Sequence, residues 1–172
     1  MKLRRIIAAA AFVVAGTACE GGDESSDLTP LGAPFICDEP IDVLQEVPET
    51  YVSVADVVAL PGDGEVLQRG RTGTDYDPES LYTFSKMGLL IRPGATFQIH
   101  VAPDSLGNAL IEWNIEDEHL VGSIAVSSCP GDPSVWLAYP GGVWTLEPAC
   151  VELIVITADA TGTIRLPVGV AC

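Results

Sequence analysis

Several segments of the chain alternate apolar and polar residues, which is the pattern of a strand with one buried face. In residues 95–101, Phe97, Ile99 and Val101 fall on one face, and polar side chains fall on the other. Segments 108–115 and 120–126 repeat this alternation. Their predicted inward residues are Ala109, Ile111, Trp113, Ile115, Leu120, Ile124 and Val126.

Turn-forming residues separate these segments at short intervals, and no long stretch has the 3.6-residue period of a helix. Gly and Pro are plentiful, with 17 and 13 residues. We therefore predict an all-β fold, an antiparallel two-sheet β-sandwich of which the immunoglobulin-like arrangement is one form. A β-barrel is the alternative. Further candidate strands are residues 51–59, 81–85, 89–92, 135–139 and 143–146.

The end of the chain has the pattern of a β-hairpin. Residues 150–158 and 164–172 flank a short polar segment, and a three-residue loop at 160–162 would set their register. That register places Ile156 opposite Leu166, Ile154 opposite Val168, and Cys150 opposite Cys172. Because directly opposed strand positions are close enough to be bridged, we predict a Cys150–Cys172 disulfide.

The beginning of the chain has the pattern of an export signal. Residues 1–5 are basic, and residues 6–16 form an uncharged apolar run. This run is too short to span a membrane but fits the apolar region of a signal peptide. It ends in Gly16-Thr17-Ala18-Cys19, which resembles the lipobox of bacterial lipoproteins.

The resemblance to bacterial lipoproteins covers only about the first 19 residues. It implies that residues 1–18 are a signal peptide and that Cys19 is acylated, for example with palmitate, and becomes the first mature residue. The protein would then be exported and anchored through this lipid to the outer face of the cell membrane, extracellular or periplasmic. The alternative is an ordinary signal peptide cleaved at the same bond.

The cysteine count fits the lipoprotein resemblance. The chain has five cysteines, and assigning Cys19 to lipid leaves four, which can pair completely in an oxidising compartment. With Cys150 paired to Cys172, elimination pairs Cys37 with Cys129. Four cysteines allow three connectivities, and the sequence alone does not choose among them.

Composition divides the remaining chain into two parts. Residues 19–34 are acidic and rich in Gly, Ser and Pro, so we predict a flexible tether after the lipidated cysteine. Residues 35–172 form the predicted β-sandwich domain. Without the basic residues 1–18, the formal charge is −19, from five basic and 24 acidic side chains. Such a surface repels nucleic acid and favours cations and basic partners.

Catalytic motifs are not found in the sequence. It contains no G-x-S-x-G elbow, no S-x-x-K and no H-E-x-x-H, and its two histidines, His100 and His119, read as solvated polar residues. A weak calcium site is predicted at Asp75, Asp77 and Glu79, whose carboxylates alternate in a loop-like stretch. The alternative for these three residues is a solvated loop.

Three aromatic residues near a Pro-Gly-Gly turn form a weak candidate ligand-binding site. Trp136 and Tyr139 fall on opposite faces of a strand, and Trp144 follows the predicted turn. Exposed rings beside a turn can stack on sugars or grip a partner protein. The alternative is that the rings straddle the core and its rim.

These patterns predict a non-enzymatic cell-envelope lipoprotein whose sandwich is an extracytoplasmic binding module for another envelope protein. The first alternative is a module that binds polysaccharide or peptidoglycan of the cell wall through the three aromatic residues. A less favoured alternative is a hydrolase without a recognised motif.

Overall fold

The computed structural model describes residues 32–62, 64–72, 81–115 and 120–172. Cys19 and the rest of the signal and lipobox lie outside these residues, and so do His119 and the predicted calcium ligands. Within these ranges, twelve strands follow one another. They are β1 (Ala33–Pro34), β2 (Asp42–Leu44), β3 (Tyr51–Val54), β4 (Val58–Pro61), β5 (Arg71–Thr72), β6 (Thr83–Ile91), β7 (Thr96–Val101), β8 (Ala109–Trp113), β9 (Ser123–Ser127), β10 (Trp136–Thr145), β11 (Ala149–Thr157) and β12 (Thr161–Val168).

The strands form two sheets. The five-stranded sheet has the order β1-β9-β7-β11-β12, and the seven-stranded sheet has the path β2-β10-β6-β4-β3. In addition, β5 pairs with β6, and β8 pairs with β10. All pairs are antiparallel except β1 with β9. The predicted all-β, two-sheet fold is confirmed. Among the described residues no helix is long and apolar enough to cross a membrane.

The main hydrophobic core lies between the two sheets. It includes Phe97, Ile99 and Val101 of β7, as their alternation predicts, together with all four inward residues predicted for segment 108–115. A second, smaller cluster lies on the opposite face of the seven-stranded sheet. Its buried members are Ala59, Leu90, Trp136 and Ala138.

Two predicted interruptions of strands are wrong. Segments 81–85 and 89–92 overlap the two ends of the single strand β6, and segments 135–139 and 143–146 overlap the two ends of the single strand β10. The expected Pro-Gly-Gly turn, residues 140–142, lies inside β10, which pairs along its length with β6. The glycines of this segment allow β10 to pack closely against its neighbours, since a Cβ on Gly142 would lie 2.1 Å from the carbonyl oxygen of Ser85.

One predicted strand is a hairpin. Residues 51–59 divide into β3 and β4, which pair from Tyr51 with Pro61 to Val54 with Val58. The turn between the strands places Ala55 and Asp56 in the left-handed region, with φ of 51° and 54°. Residues 51–59 contain no Gly or Pro, the strongest turn signals, so the sequence did not reveal this turn.

The two predicted disulfides, Cys37–Cys129 and Cys150–Cys172, are confirmed, with Cα–Cα distances of 5.3 and 5.2 Å. The strand register used to predict the second one is wrong, because Cys150 pairs with Pro167. Beyond β12, the chain bends at Gly169, which has a φ of +69°, and this bend brings Cys172 back to Cys150.

The described domain begins slightly before the predicted boundary. β1 consists of the last two residues of the segment predicted as a tether, and it pairs with β9 of the five-stranded sheet. The chain then crosses to the other sheet, where β2 pairs with β10. Cys37 lies on this crossing, so its disulfide with Cys129 fixes the passage from one sheet to the other.

Candidate interaction surface

The predicted aromatic site is not an exposed platform. The exposed fractions of Trp136, Tyr139 and Trp144 are only 1%, 0% and 3%. Trp136 and Tyr139 do lie on opposite faces of β10, but both faces are covered. The expectation of exposure is wrong because it depended on a turn at residues 140–142, where the strand in fact continues between two neighbours.

Each of the three rings has a structural partner. The Arg92 guanidinium lies over the Trp136 ring, 4.4 Å from its centroid, and pairs with the carboxylate of Asp56 at 3.0 Å. The indole N–H of Trp144 donates to the Glu112 carboxylate. These contacts occupy the polar edges and faces that a sugar would need.

Tyr139 links the core to the disulfide segment. Its ring meets the Phe35 ring edge to face at 4.9 Å, and its hydroxyl donates to the carbonyl of Cys37 at 3.1 Å. Burial raises the pKa of the Tyr139 hydroxyl, and the negative charge of Asp38 raises it further. Tyr139 is therefore a neutral structural donor at ordinary pH.

His100 lies on the outer face of β7, as predicted. Its Nε2 lies 2.9 Å from the side-chain oxygen of Gln98, and burial lowers the pKa of its imidazole. Within the described ranges, no group of three or more His, Cys, Asp or Glu side chains is arranged to hold a metal ion. The predicted calcium ligands Asp75, Asp77 and Glu79 lie outside those ranges.

The outer face of the five-stranded sheet is partly open. It has a shallow depression of about 130 Å³ beside Gln98, Ala125 and Ile156. Gln98 of β7 pairs with Ala125 of β9 on one side and with Ile156 of β11 on the other. Ile154 and His100 form the next row. The outer face of the seven-stranded sheet differs, because the smaller cluster and the Phe84–Trp144 pair cover it.

The free side of β2 is acidic and differs from both outer sheet faces. We call residues 38–49, which include β2, the acidic edge. β2 is the terminal strand of its sheet path. The side chains of Ile41 and Val43 are 65% and 50% exposed, although both are aliphatic. The acidic edge contains no Lys or Arg. Its exposed carboxylates are those of Asp38, Glu39, Asp42, Glu46 and Glu49.

No sequence pattern predicted the acidic edge. β2 has only three residues, which is too short for an alternation test to detect. The usable signal was Ile41-Asp42-Val43-Leu44, in which one charged residue interrupts an aliphatic run between two prolines at 40 and 48. This arrangement can offer backbone hydrogen bonds, apolar contact and negative charge together, which suits binding of an extended segment.

Comparison with known proteins found no similarity on which a function could rest. No protein-family model matches the chain, and neither a curated protein nor a solved structure matches it. Its function must therefore be argued from its own residues.

Proposed function

We propose that this protein is a non-enzymatic binding module of the cell envelope, exported and anchored to the outer face of the membrane by a lipid on Cys19. The lipobox-like residues 16–19 support the anchor. The two disulfides are compatible with an oxidising compartment outside the cytoplasm. The bound partner is another envelope protein.

The acidic edge is the observation that carries this proposal. A soluble domain gains nothing in stability by leaving Ile41 and Val43 in water on a strand that ends its sheet. Both side chains are available to a partner, and the surrounding carboxylates would orient it. The buried aromatic rings give no such support to binding of cell-wall glycans.

Site-specific photo-crosslinking in the native cells tests the proposal. A photoreactive residue would replace Val43, and a matched control would replace Val52, an exposed aliphatic residue on the strand β3 at the other end of the same sheet path. We expect one dominant, identified envelope protein to be captured from position 43 and not from position 52.

Mass spectrometry of the same sample tests the anchor. The peptide that contains Cys19 should carry the mass of a lipid. An unmodified Cys19 on a chain in the soluble fraction would refute the anchor. Retention on the cell-wall fraction without any captured protein would refute the choice of partner and favour glycan binding.

A further inference from the structure

The geometry of β2 assigns a chemistry to the partner: we infer that the acidic edge binds an extended protein segment that alternates aliphatic with basic residues, as an added strand. This inference rests on the proposed function. It concerns what the partner segment must look like, and it follows from the backbone, the two faces and the charges of β2.

The backbone of β2 is available on one side. The strand pairs with β10 through Trp136, Leu137 and Ala138, and no other described strand pairs with it. The Val43 N–H donates to the carboxylate of the adjacent Asp42 at 2.8 Å. This contact is local and exposed, so an arriving strand can replace it with a main-chain hydrogen bond.

The two faces of β2 differ in chemistry. Val43 lies opposite Leu137, whose side chain belongs to the core between the sheets, and Ile41 shares the face of Val43. Asp42 lies opposite Ala138, on the outer face of the sheet. Since side chains alternate along an added strand, its aliphatic residues would meet Ile41 and Val43, and its basic residues would meet Asp42.

The carboxylates of the acidic edge determine which charge the partner segment must carry. None of the five carboxylates of the acidic edge has a Lys or Arg partner among the described residues. A second copy of this chain would bring the same carboxylates against them, and the mature chain carries a large negative charge overall. Like charges opposite one another oppose pairing, so the acidic edge disfavours self-association and favours a basic segment.

The other terminal strand of the sheet path, β3, serves as the comparison. It exposes Val52 by 44%, close to the value for Val43. However, β3 contacts β12 of the other sheet, and Val54 packs against Gly162 there. Its neighbour Asp56 is already paired with Arg92. β3 therefore differs from β2, because it packs against the other sheet and the carboxylate beside it is already paired.

A short synthetic peptide that alternates lysine with valine is the probe. It would be titrated, by fluorescence anisotropy, against the full-length chain in detergent. A peptide that alternates glutamate with valine tests charge, and one that alternates lysine with glycine tests the aliphatic contact. Amide hydrogen exchange would locate the bound peptide.

We expect only the lysine–valine peptide to bind, and its affinity to fall as salt is raised. Val43→Lys should weaken this binding by about tenfold or more, because it removes an aliphatic contact and adds a repelling charge. The matched variant Val52→Lys should bind as the wild type does. Bound peptide should slow amide exchange in residues 41–44 and leave residues 51–54 unchanged.

Several outcomes would overturn the inference. They are no binding of the lysine–valine peptide, equal loss in both variants, equal binding of the lysine–glycine peptide, or binding without protection of residues 41–44. Protection of these residues without peptide, in a dimer, would identify a second copy as the occupant. Capture of an envelope protein from position 43 in cells, with no peptide binding, would refute only the basic-strand chemistry and leave the proposed function standing.

Discussion

The structure predicts a large loss of stability from adding a single methyl group in Gly142→Ala. Gly142 lies inside β10, between β6 and β8. An added Cβ would lie 2.1 Å from the carbonyl oxygen of Ser85 and 2.7 Å from a ring carbon of Phe84. Ordinary contacts of a Cβ begin at 3.4 Å. The obstructing oxygen belongs to the backbone of β6, so a rotamer change cannot relieve the clash.

The expected cost follows from the displacement that this clash requires. The backbones of β10 and β6 must separate by more than 1 Å at this point, as the two distances show. Overpacking of this kind costs about 1–3 kcal/mol, and weakening the adjacent ladder hydrogen bonds adds about 1 kcal/mol each. We therefore expect Gly142→Ala to lower the free energy of unfolding by about 3–4 kcal/mol and Tm by roughly 10 °C or more.

Thermal unfolding of the disulfide-intact protein, followed by circular dichroism, measures this effect. Gly107→Ala is the matched control, because a Cβ at Gly107 meets no atom within 4 Å. Its Tm should stay within about 3 °C of the wild type. If Gly142→Ala melts at the same temperature as Gly107→Ala, the close approach of β6 to β10 is not as described.

Three further substitutions probe polar groups, each followed by urea denaturation. Tyr139→Phe removes the hydrogen bond to the Cys37 carbonyl and should cost about 1 kcal/mol; an unchanged midpoint would contradict this contact. Ser85→Ala should be neutral or stabilise by up to about 1 kcal/mol, since the buried Ser85 hydroxyl has no hydrogen-bond partner among the described residues; a clear loss would contradict this. Burial lowers the pKa of His100, so the unfolded chain binds a proton more readily and stability falls as pH decreases through about 6.5. His100→Gln should make that decrease shallower, and an identical pH dependence in variant and wild type would refute the assignment.

The alternation of residues predicted the centre of the fold well. In β7 and β8 it identified every inward residue, because period-two burial is a local property that the sequence displays directly. The Pro-Gly-Gly segment was misread for the opposite reason. Whether two adjacent glycines make a turn or permit close packing depends on the neighbouring strands, which a single segment does not reveal.

The C-terminal disulfide was found through a register that is wrong. That register paired Ile154 and Ile156 with Val168 and Leu166, but the core takes Val151, Leu153 and Val155 from β11. Because the loop before Thr161 is tighter than expected, Ile156 pairs with Thr161, five residues from its expected partner Leu166. A shift by an odd number of residues exchanges the two faces of a strand. The bend at Gly169 restored the contact between the cysteines, and no local pattern predicted it.

The acidic edge was not foreseen, since its character arises from topology. Residues 38–49 read as a polar connection with a few aliphatic residues. Only the placement of β2 at the end of the sheet path leaves Ile41 and Val43 exposed on a strand that is paired on one side only.

If the domain is held at its N-terminal side, as proposed, the Cys37–Cys129 disulfide has a mechanical consequence. A pull transmitted along the chain would reach β1 first, where two residue pairs with β9 can peel away one after the other. Peeling stops at Cys37, because a covalent bond there passes the load to Cys129 beyond β9. β2 follows this stop along the chain, so the strand that we propose as the binding strand would stay in place while the domain is under tension.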